Sequence, residues 1–170
     1  MEASTGKEGI LKNIRKALTQ SVDQPFPGIE KINFAFENTG DDLAVLFAER
    51  FSSLLGKFSF CVNEEDLVNQ IRQLVLDRGW TEVHCADENI KGALLSFGFP
   101  AFSEKQLADV DVSITKCEVL VARTGSMVLS STESSGRLTS VYAPIHICIA
   151  KSSQLVYDIK DALEFMQKKY

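Results

Sequence analysis

Apolar residues recur on one helical face at Ile10, Leu11, Ile14 and Leu18, behind Thr5 and Glu8 at capping-box spacing. This predicts an amphipathic helix over about 5–20. Residues 21–28 hold two prolines and a glycine, and Gln24-Pro25 and Phe26-Pro27 favour extended backbone, so this stretch is a connector. Residues 32–41 alternate at Phe34 and Phe36 but end in the turn-rich Asn38-Thr39-Gly40, which leaves their element type open. Leu43, Leu46, Phe47, Phe51, Leu54 and Leu55 return at helical spacing, with Asp41 placed to cap the helix and Gly56 to stop it. Phe58, Phe60 and Val62 alternate as a short strand. Asn63 and Asp66 then open a helix through Leu67, Ile71, Leu74 and Val75 to Gly79. Residues 81–86 predict a strand, and Asp87 caps a helix reaching about Phe97. Strands alternating with helices predict a parallel sheet, because parallel neighbours need crossover helices that cover the sheet faces.

Beyond the polar stretch 103–109, residues 110–115 predict a strand, 119–122 and 127–129 are short apolar runs, and 132–136 is a loop of small polar residues. The strand 145–149 is entered through Pro144, which fits the edge of a strand but not its centre. A final helix runs from Ser153 or Tyr157 to Gln167, with Ile159, Leu163 and Met166 on one face. No repeat or linker interrupts the pattern, and 170 residues suit a single core. The expected architecture is one α/β domain over 1–170, a mainly parallel sheet flanked by helices with the N-terminal helix packed on it.

Composition narrows the function classes. A hydrophobic share of 45% with 24% charged residues supports a folded core rather than disorder. A net charge of -5 opposes attraction to nucleic-acid phosphates, and the basic clusters at 12–16 and Lys168-Lys169 fit solvated helix surfaces. No run approaches the about 18 apolar residues that span a bilayer. Residues 1–12 lack the apolar core of a secretory signal, so a cytoplasmic protein without membrane contact is expected. Cys61, Cys85, Cys117 and Cys148 form no Cys-x-x-Cys and each lies in or beside an apolar run, so they are expected to be buried reduced thiols, with no bound metal or cofactor.

Candidate chemistry gathers in one region. In Thr124-Gly125-Ser126 a glycine between two hydroxyl residues permits a tight turn whose N–H groups can face a ligand oxygen; a plain turn between core segments is the alternative. Arg123 precedes it and Arg137 follows Ser134-Ser135-Gly136, and two guanidinium groups can clamp a carboxylate or phosphate or simply lie on the surface. His146 lies within an apolar strand, as an acid/base group or as a hydrogen-bonded core residue, while His84 reads as structural. The phosphate-binding, dinucleotide-binding and nucleophile-elbow patterns are absent from the sequence. The carboxylate pairs Glu64-Glu65 and Asp41-Asp42 fall at helix starts, where the helix dipole favours negative charge.

Residues 10–18 (Ile-Leu-Lys-Asn-Ile-Arg-Lys-Ala-Leu), Ala122-Arg123-Thr124-Gly125-Ser126-Met127-Val128-Leu129, Gly136-Arg137 and Pro144-Ile145-His146-Ile147, in that order and spacing, resemble the lactate-utilisation protein C family, a LUD-domain family. The resemblance implies a fold like the NagB/RpiA/CoA-transferase group. It implies a role in oxidising L-lactate to pyruvate beside iron–sulfur partner proteins, with this chain as the subunit without clusters. The ligand-binding residues it implies are Arg123, Thr124, Gly125, Ser126, Arg137 and His146, for a small carboxylate or phosphate. The family commonly has an acidic residue where this chain has Arg123. Two other roles fit the same residues: a stand-alone isomerase or transferase acting on a phosphorylated or CoA-linked molecule, and a non-catalytic assembly protein.

Overall fold

The computed structural model describes residues 6–19, 40, 42–100, 102–130 and 136–170, with backbone alone at 6, 7, 136 and 137. Thr5, the connector 21–28, the run 32–39, Asp41 and the loop 132–135 lie outside the described residues. The chain divides into two compact units, Met1–Phe36 and Glu37–Tyr170. The first contains helix α1, Gly6–Leu18, with Glu8 in its first turn and Arg15 and Lys16 in its last, charges that complement the helix dipole.

In the second unit, helix α2 spans Leu43–Ser53. The sequence put its cap at Asp41, but Asp42 caps it: its backbone is extended and its carboxylate accepts the Ala44 N–H at 2.8 Å. The helix ends with Leu55 in the left-handed region at φ 67°, where a glycine is usual. The Leu55 N–H donates to the Ser52 carbonyl and the Gly56 N–H to the Phe51 carbonyl, both at 3.0 Å, so the last turn is closed by a six-residue wrap. Gly56 thus stops the helix from one position beyond the left-handed residue. A side chain there would meet the Phe51 ring.

The strand expected from Phe58, Phe60 and Val62 does not form. Residues 57–62 are irregular and tied to helix α3, Glu64–Arg78, whose side chains take backbone groups a sheet would have paired: Asp66 accepts the Val62 N–H at 2.9 Å and the Gln70 amide donates to the Phe60 carbonyl at 3.4 Å. Of the three alternating residues Phe58 packs edge-on against Phe47, whereas Phe60 and Val62 are 63% and 82% exposed. Helix α3 is capped as expected, with Asn63 accepting the Asp66 N–H at 2.8 Å and Gly79 left-handed at φ 66°.

Strand β1, Val83–Cys85, leads into helix α4, Glu88–Ser96, where Asp87 accepts the N–H groups of Asn89 and Ile90. Strands β2 (Val112–Lys116), β3 (Val119–Val121) and β4 (Ser126–Val128) follow, then helix α5 (Gly136–Tyr142) and strand β5 (Ile145–Ile149). A 3-10 turn at Ser152–Gln154 leads to the two-residue strand β6, Leu155–Val156, and helix α6, Ile159–Lys169, closes the chain. The last helix therefore begins later than the sequence suggested, because residues 153–156 are taken by the turn and β6; Asp158 caps it in a reciprocal box with Asp161.

Strands β1, β2 and β5 form a parallel sheet in that order, with Val83 opposite Val112 and Ser113 opposite His146. Strand β5 begins at Ile145, so Pro144 stands just outside it and its missing N–H leaves no gap in the ladder. Val83, Cys85, Val112 and Ile114 on one face meet Val68, Ile71 and Val75 of α3, Leu94 of α4, and Phe99, forming the main core. The second sheet, β4-β3-β6, is mixed: β4 is antiparallel to β3 and β6 parallel to it. Leu120, Ala122, Met127 and Leu155 pack with Phe47 of α2, while Val119, Val121, Val128 and Val156 pack with Ala162 of α6. Buried Glu118 holds the end of α6 by accepting from Lys169 at 2.6 Å and from the Tyr170 hydroxyl at 2.7 Å.

Candidate functional site

The segment from Ala122 to Gly125 makes the turn that reverses β3 into β4. Gly125 is buried with φ 65°, and a Cβ on it would lie 2.7 Å from the Phe51 backbone nitrogen and 2.9 Å from the Arg50 carbonyl carbon. The glycine is therefore needed twice, for the left-handed bend and for the close approach to the last turns of α2. The Thr124 hydroxyl donates to Ser126 Oγ at 2.9 Å. Arg123 donates its backbone N–H to the Tyr157 carbonyl at 3.0 Å, and its Nη2 pairs with Asp158 Oδ1 at 2.7 Å. Arg123 beside it holds the Asp158 carboxyl below the usual carboxylate range. Since Asp158 also caps α6, the turn, α2 and the start of α6 are fastened together through this segment.

The parallel sheet carries a second polar group. Register partners in parallel strands project to the same side, so His84, Ser113, Thr115, His146 and Cys148 share the face opposite the main core. The Ser113 hydroxyl donates to the Thr139 carbonyl of α5 at 2.6 Å, which seats that helix over β2. Thr115 Oγ1 and His146 Nε2 are hydrogen-bonded at 2.7 Å, with Thr115 buried and His146 half-buried. Burial pushes the His146 pKa below its ordinary value, and burial with the nearby Lys91 charge does the same for His84. A neutral imidazole sharing a proton with a hydroxyl can accept a proton from, or donate a hydrogen bond to, a bound oxygen.

The His146 shift has a measurable consequence. The folded chain resists a proton that the unfolded chain accepts, so this group's contribution to stability is full above an ordinary imidazole value of about 6.5 and falls as pH drops toward the lower folded value. Ring-carbon NMR titration should place the His146 midpoint below about 6.5. Thr115→Val should alter the Nε2 chemical shift while leaving helix content intact. A midpoint at or above the ordinary value would remove the neutral-imidazole argument.

The sequence-derived candidates fall into two groups with separate partners. Arg123, Thr124, Gly125 and Ser126 form the turn on the mixed sheet, tied to α2 and α6; His146 is tied to Thr115 in the parallel sheet. Arg137 belongs to α5, the helix over the polar face, and its side chain lies outside the described residues. Thr115 and Ser113 were not anticipated as site residues. Their signal was present as polar residues at every second position of 112–116, an alternation that a strand apolar on both faces does not show.

Asp87 and Lys116 add a charged pair just past β1 and at the last residue of β2, with Lys116 Nζ 2.9 Å from Asp87 Oδ2. Burial alone would raise the Asp87 pKa, but hydrogen bonds from Lys116 and the α4 backbone outweigh it and hold the carboxyl below its ordinary value. The carboxyl ends of parallel strands are where α/β sheets open to ligands. Among the described residues, no group of three or more His, Cys, Asp or Glu side chains is arranged to hold a metal ion. No helix among them is long and apolar enough to cross a membrane.

Comparison with known proteins puts both groups in one matched region. Residues 101–170 match the LUD domain family. A protein of Deinococcus radiodurans named Lactate utilization protein C is 22% identical over 130 residues, and the chain spans 61% of that relative's length. A crystal structure of a DUF162 family protein, also from Deinococcus radiodurans, superposes with a TM-score of 0.63 at 21% identity, covering 75% of this chain and 79% of that one. The parallel sheet flanked by helices is thus a fold shared with a solved relative. With the LUD-domain match over residues 101–170, the named relative and the shared fold in agreement, the chain resembles the lactate-utilisation protein C family.

Proposed function

We propose that this chain is the component without iron–sulfur clusters in an L-lactate utilisation system, working in the cytoplasm beside iron–sulfur partner proteins. The proposal includes a small-ligand site in the matched region, taking a carboxylate or phosphate. The observation that carries it is half-buried His146, its pKa pushed down by burial, hydrogen-bonded to Thr115 on the polar face of a parallel sheet, within the residues that match the LUD domain. The name of the Deinococcus relative supports lactate utilisation as the setting. The parallel sheet beneath two helices also suits the proposed kinship with the NagB/RpiA/CoA-transferase group.

The chemistry of the pieces is suited to a hydroxy acid. A hydroxyl of the ligand can join the hydrogen-bonded pair of Thr115 and His146, where partial burial strengthens each bond. Its carboxylate needs a cation, and Arg137 opens the helix that covers this face. Arg123 already pairs with Asp158, so in this proposal its first task is to hold the turn.

Isothermal titration with L-lactate, pyruvate and ribose 5-phosphate tests the proposal, on the chain alone and with the iron–sulfur proteins. Saturable binding of lactate or pyruvate is expected. It should weaken at least about tenfold in His146→Ala, equivalent to one lost polar contact of about 1.4 kcal/mol. Absence of binding in both settings overturns the ligand site.

A further inference from the structure

The two outer edges of the parallel sheet differ. At β1 the Ser103 N–H donates to the Val83 carbonyl at 2.7 Å, so the stretch beyond α4 takes up that edge. At β5, among the described residues, no backbone group of Ile145–Ile149 bonds to anything but β2. Successive residues of a strand turn their N–H and C=O groups to opposite sides, so one set on β5 faces β2 and the other faces outward. Proteins blunt such an edge with a lysine, a proline within the strand or a bulge. The run Ile-His-Ile-Cys-Ile has no lysine and no proline, and its register with β2 is unbroken over all five residues. Its entry is apolar and open as well: Val141 and Tyr142 at the end of α5 are 76% and 59% exposed, and Ile145 is 42% exposed.

We propose that β5 is a dimerisation edge, along which a second copy of this chain adds its own β5 antiparallel about a two-fold axis through Ile147. An open edge accepts an extended segment through main-chain bonds, and β5 is itself such a segment. A two-fold axis perpendicular to the sheet sets like strands antiparallel, and each contact is then made twice. Centring it on Ile147 pairs the whole strand, with Ile145 opposite Ile149 and His146 opposite Cys148 of the second copy. Pro144, which has no N–H to give, falls beyond the ladder opposite Ala150. Lys151 falls opposite Ala143, so no like charges meet along this pairing although the chain carries a net charge of -5.

The two three-stranded parallel sheets become one continuous sheet. The axis keeps each face on its own side, so the polar faces that carry His146 run together across the pair. Val141 and Tyr142 of each copy come beside the far end of the other copy's strand, which covers apolar surface that the single chain leaves in water. One short strand and a few apolar side chains from each copy make a small interface beside those of permanent dimers, so association depends on concentration.

Sedimentation equilibrium of the full chain over about a hundredfold range of concentration should show the mass rising from 18.8 kDa toward twice that value. Hydrogen exchange read by mass spectrometry at both ends of that range should show β5 peptides gaining protection with concentration, while β1 peptides stay as they are. Ile145→Lys places a lysine on the edge, and Val141→Glu charges a side chain too exposed to matter for folding. Each should keep the far-UV circular dichroism of the wild type and weaken association at least about tenfold. A mass of 18.8 kDa throughout, a dimer whose β5 gains no protection, or a dimer that both variants leave intact overturns the proposal. So does protection of β5 already complete in the monomer, because another segment of the same chain then covers the edge. The assay uses neither lactate nor an iron–sulfur protein, so its outcome is independent of the proposed ligand site.

Discussion

Gly125→Val is expected to destabilise the chain by about 3–5 kcal/mol, the sum of forcing a branched residue into the left-handed region and of overpacking a tight contact. The residue sits at φ 65°, and its Cβ would be 2.7 Å from the Phe51 nitrogen and 2.9 Å from the Arg50 carbonyl carbon, both backbone atoms of α2 that cannot rotate away. Relief would require α2 to move off the β3–β4 turn, which would open the cluster of Phe47, Leu120 and Ala122. Urea denaturation should show the midpoint falling by about 2 M, taking a slope of about 2 kcal/mol/M. Gly92→Ala is the matched control: Gly92 lies within α4 with nothing within 4 Å of its Cβ position, so alanine there should be neutral or stabilise by up to about 1 kcal/mol. Equal midpoints for the two variants would refute the packing argument at Gly125.

The contrast between those glycines shows what the sequence reveals and what it conceals. Local chemistry is legible: Asn63, Asp87 and Gly79 mark helix ends because a cap is decided within a few residues. Strand β5 was legible from its apolar run and from Pro144 at its edge. The alternation of Phe58, Phe60 and Val62 misled because side chains of α3, not a neighbouring strand, take the backbone groups of Phe60 and Val62. Helix α5 was missed because Thr139, Ser140 and Val141 are weak helix formers; the helix forms where Thr139 seats on Ser113, a contact from 26 residues away. Strand β6, two residues long, carries no periodic signal at all.

The candidate site divides the same way. His146 stood out as a rare residue type in an apolar strand, but Thr115, 31 residues earlier, becomes its partner only through the register of β2 with β5. Arg123 was visible beside its turn, whereas Asp158 is 35 residues away, so the ion pair that ties the turn to the start of α6 is set by the fold. Sequence thus marked these polar residues along the chain, and topology decided which groups met.

Asp87→Ala should cost about 3 kcal/mol at neutral pH, combining a lost helix cap with a broken buried ion pair. The carboxylate is 2% exposed, accepts two N–H groups at the start of α4 through one oxygen, and meets Lys116 at 2.9 Å through the other. The figure lies toward the lower end for a broken buried pair because the Lys116 side chain is 37% exposed and can turn to water when its partner is removed. Asp87→Asn separates the two contributions, since an amide oxygen still caps α4 but carries no charge for Lys116. The pH dependence then identifies the ionised form. Asp87 has a folded pKa below its unfolded value of about 3.9, so its charge contributes stability in full above that value and loses it as pH falls through the folded value. The stability gap between wild type and Asp87→Asn, read from urea midpoints, should therefore be widest near pH 7 and shrink as pH falls below about 4. A gap that stays constant between those conditions would mean that the pair with Lys116 adds nothing, and that Asp87 serves α4 as a neutral cap would.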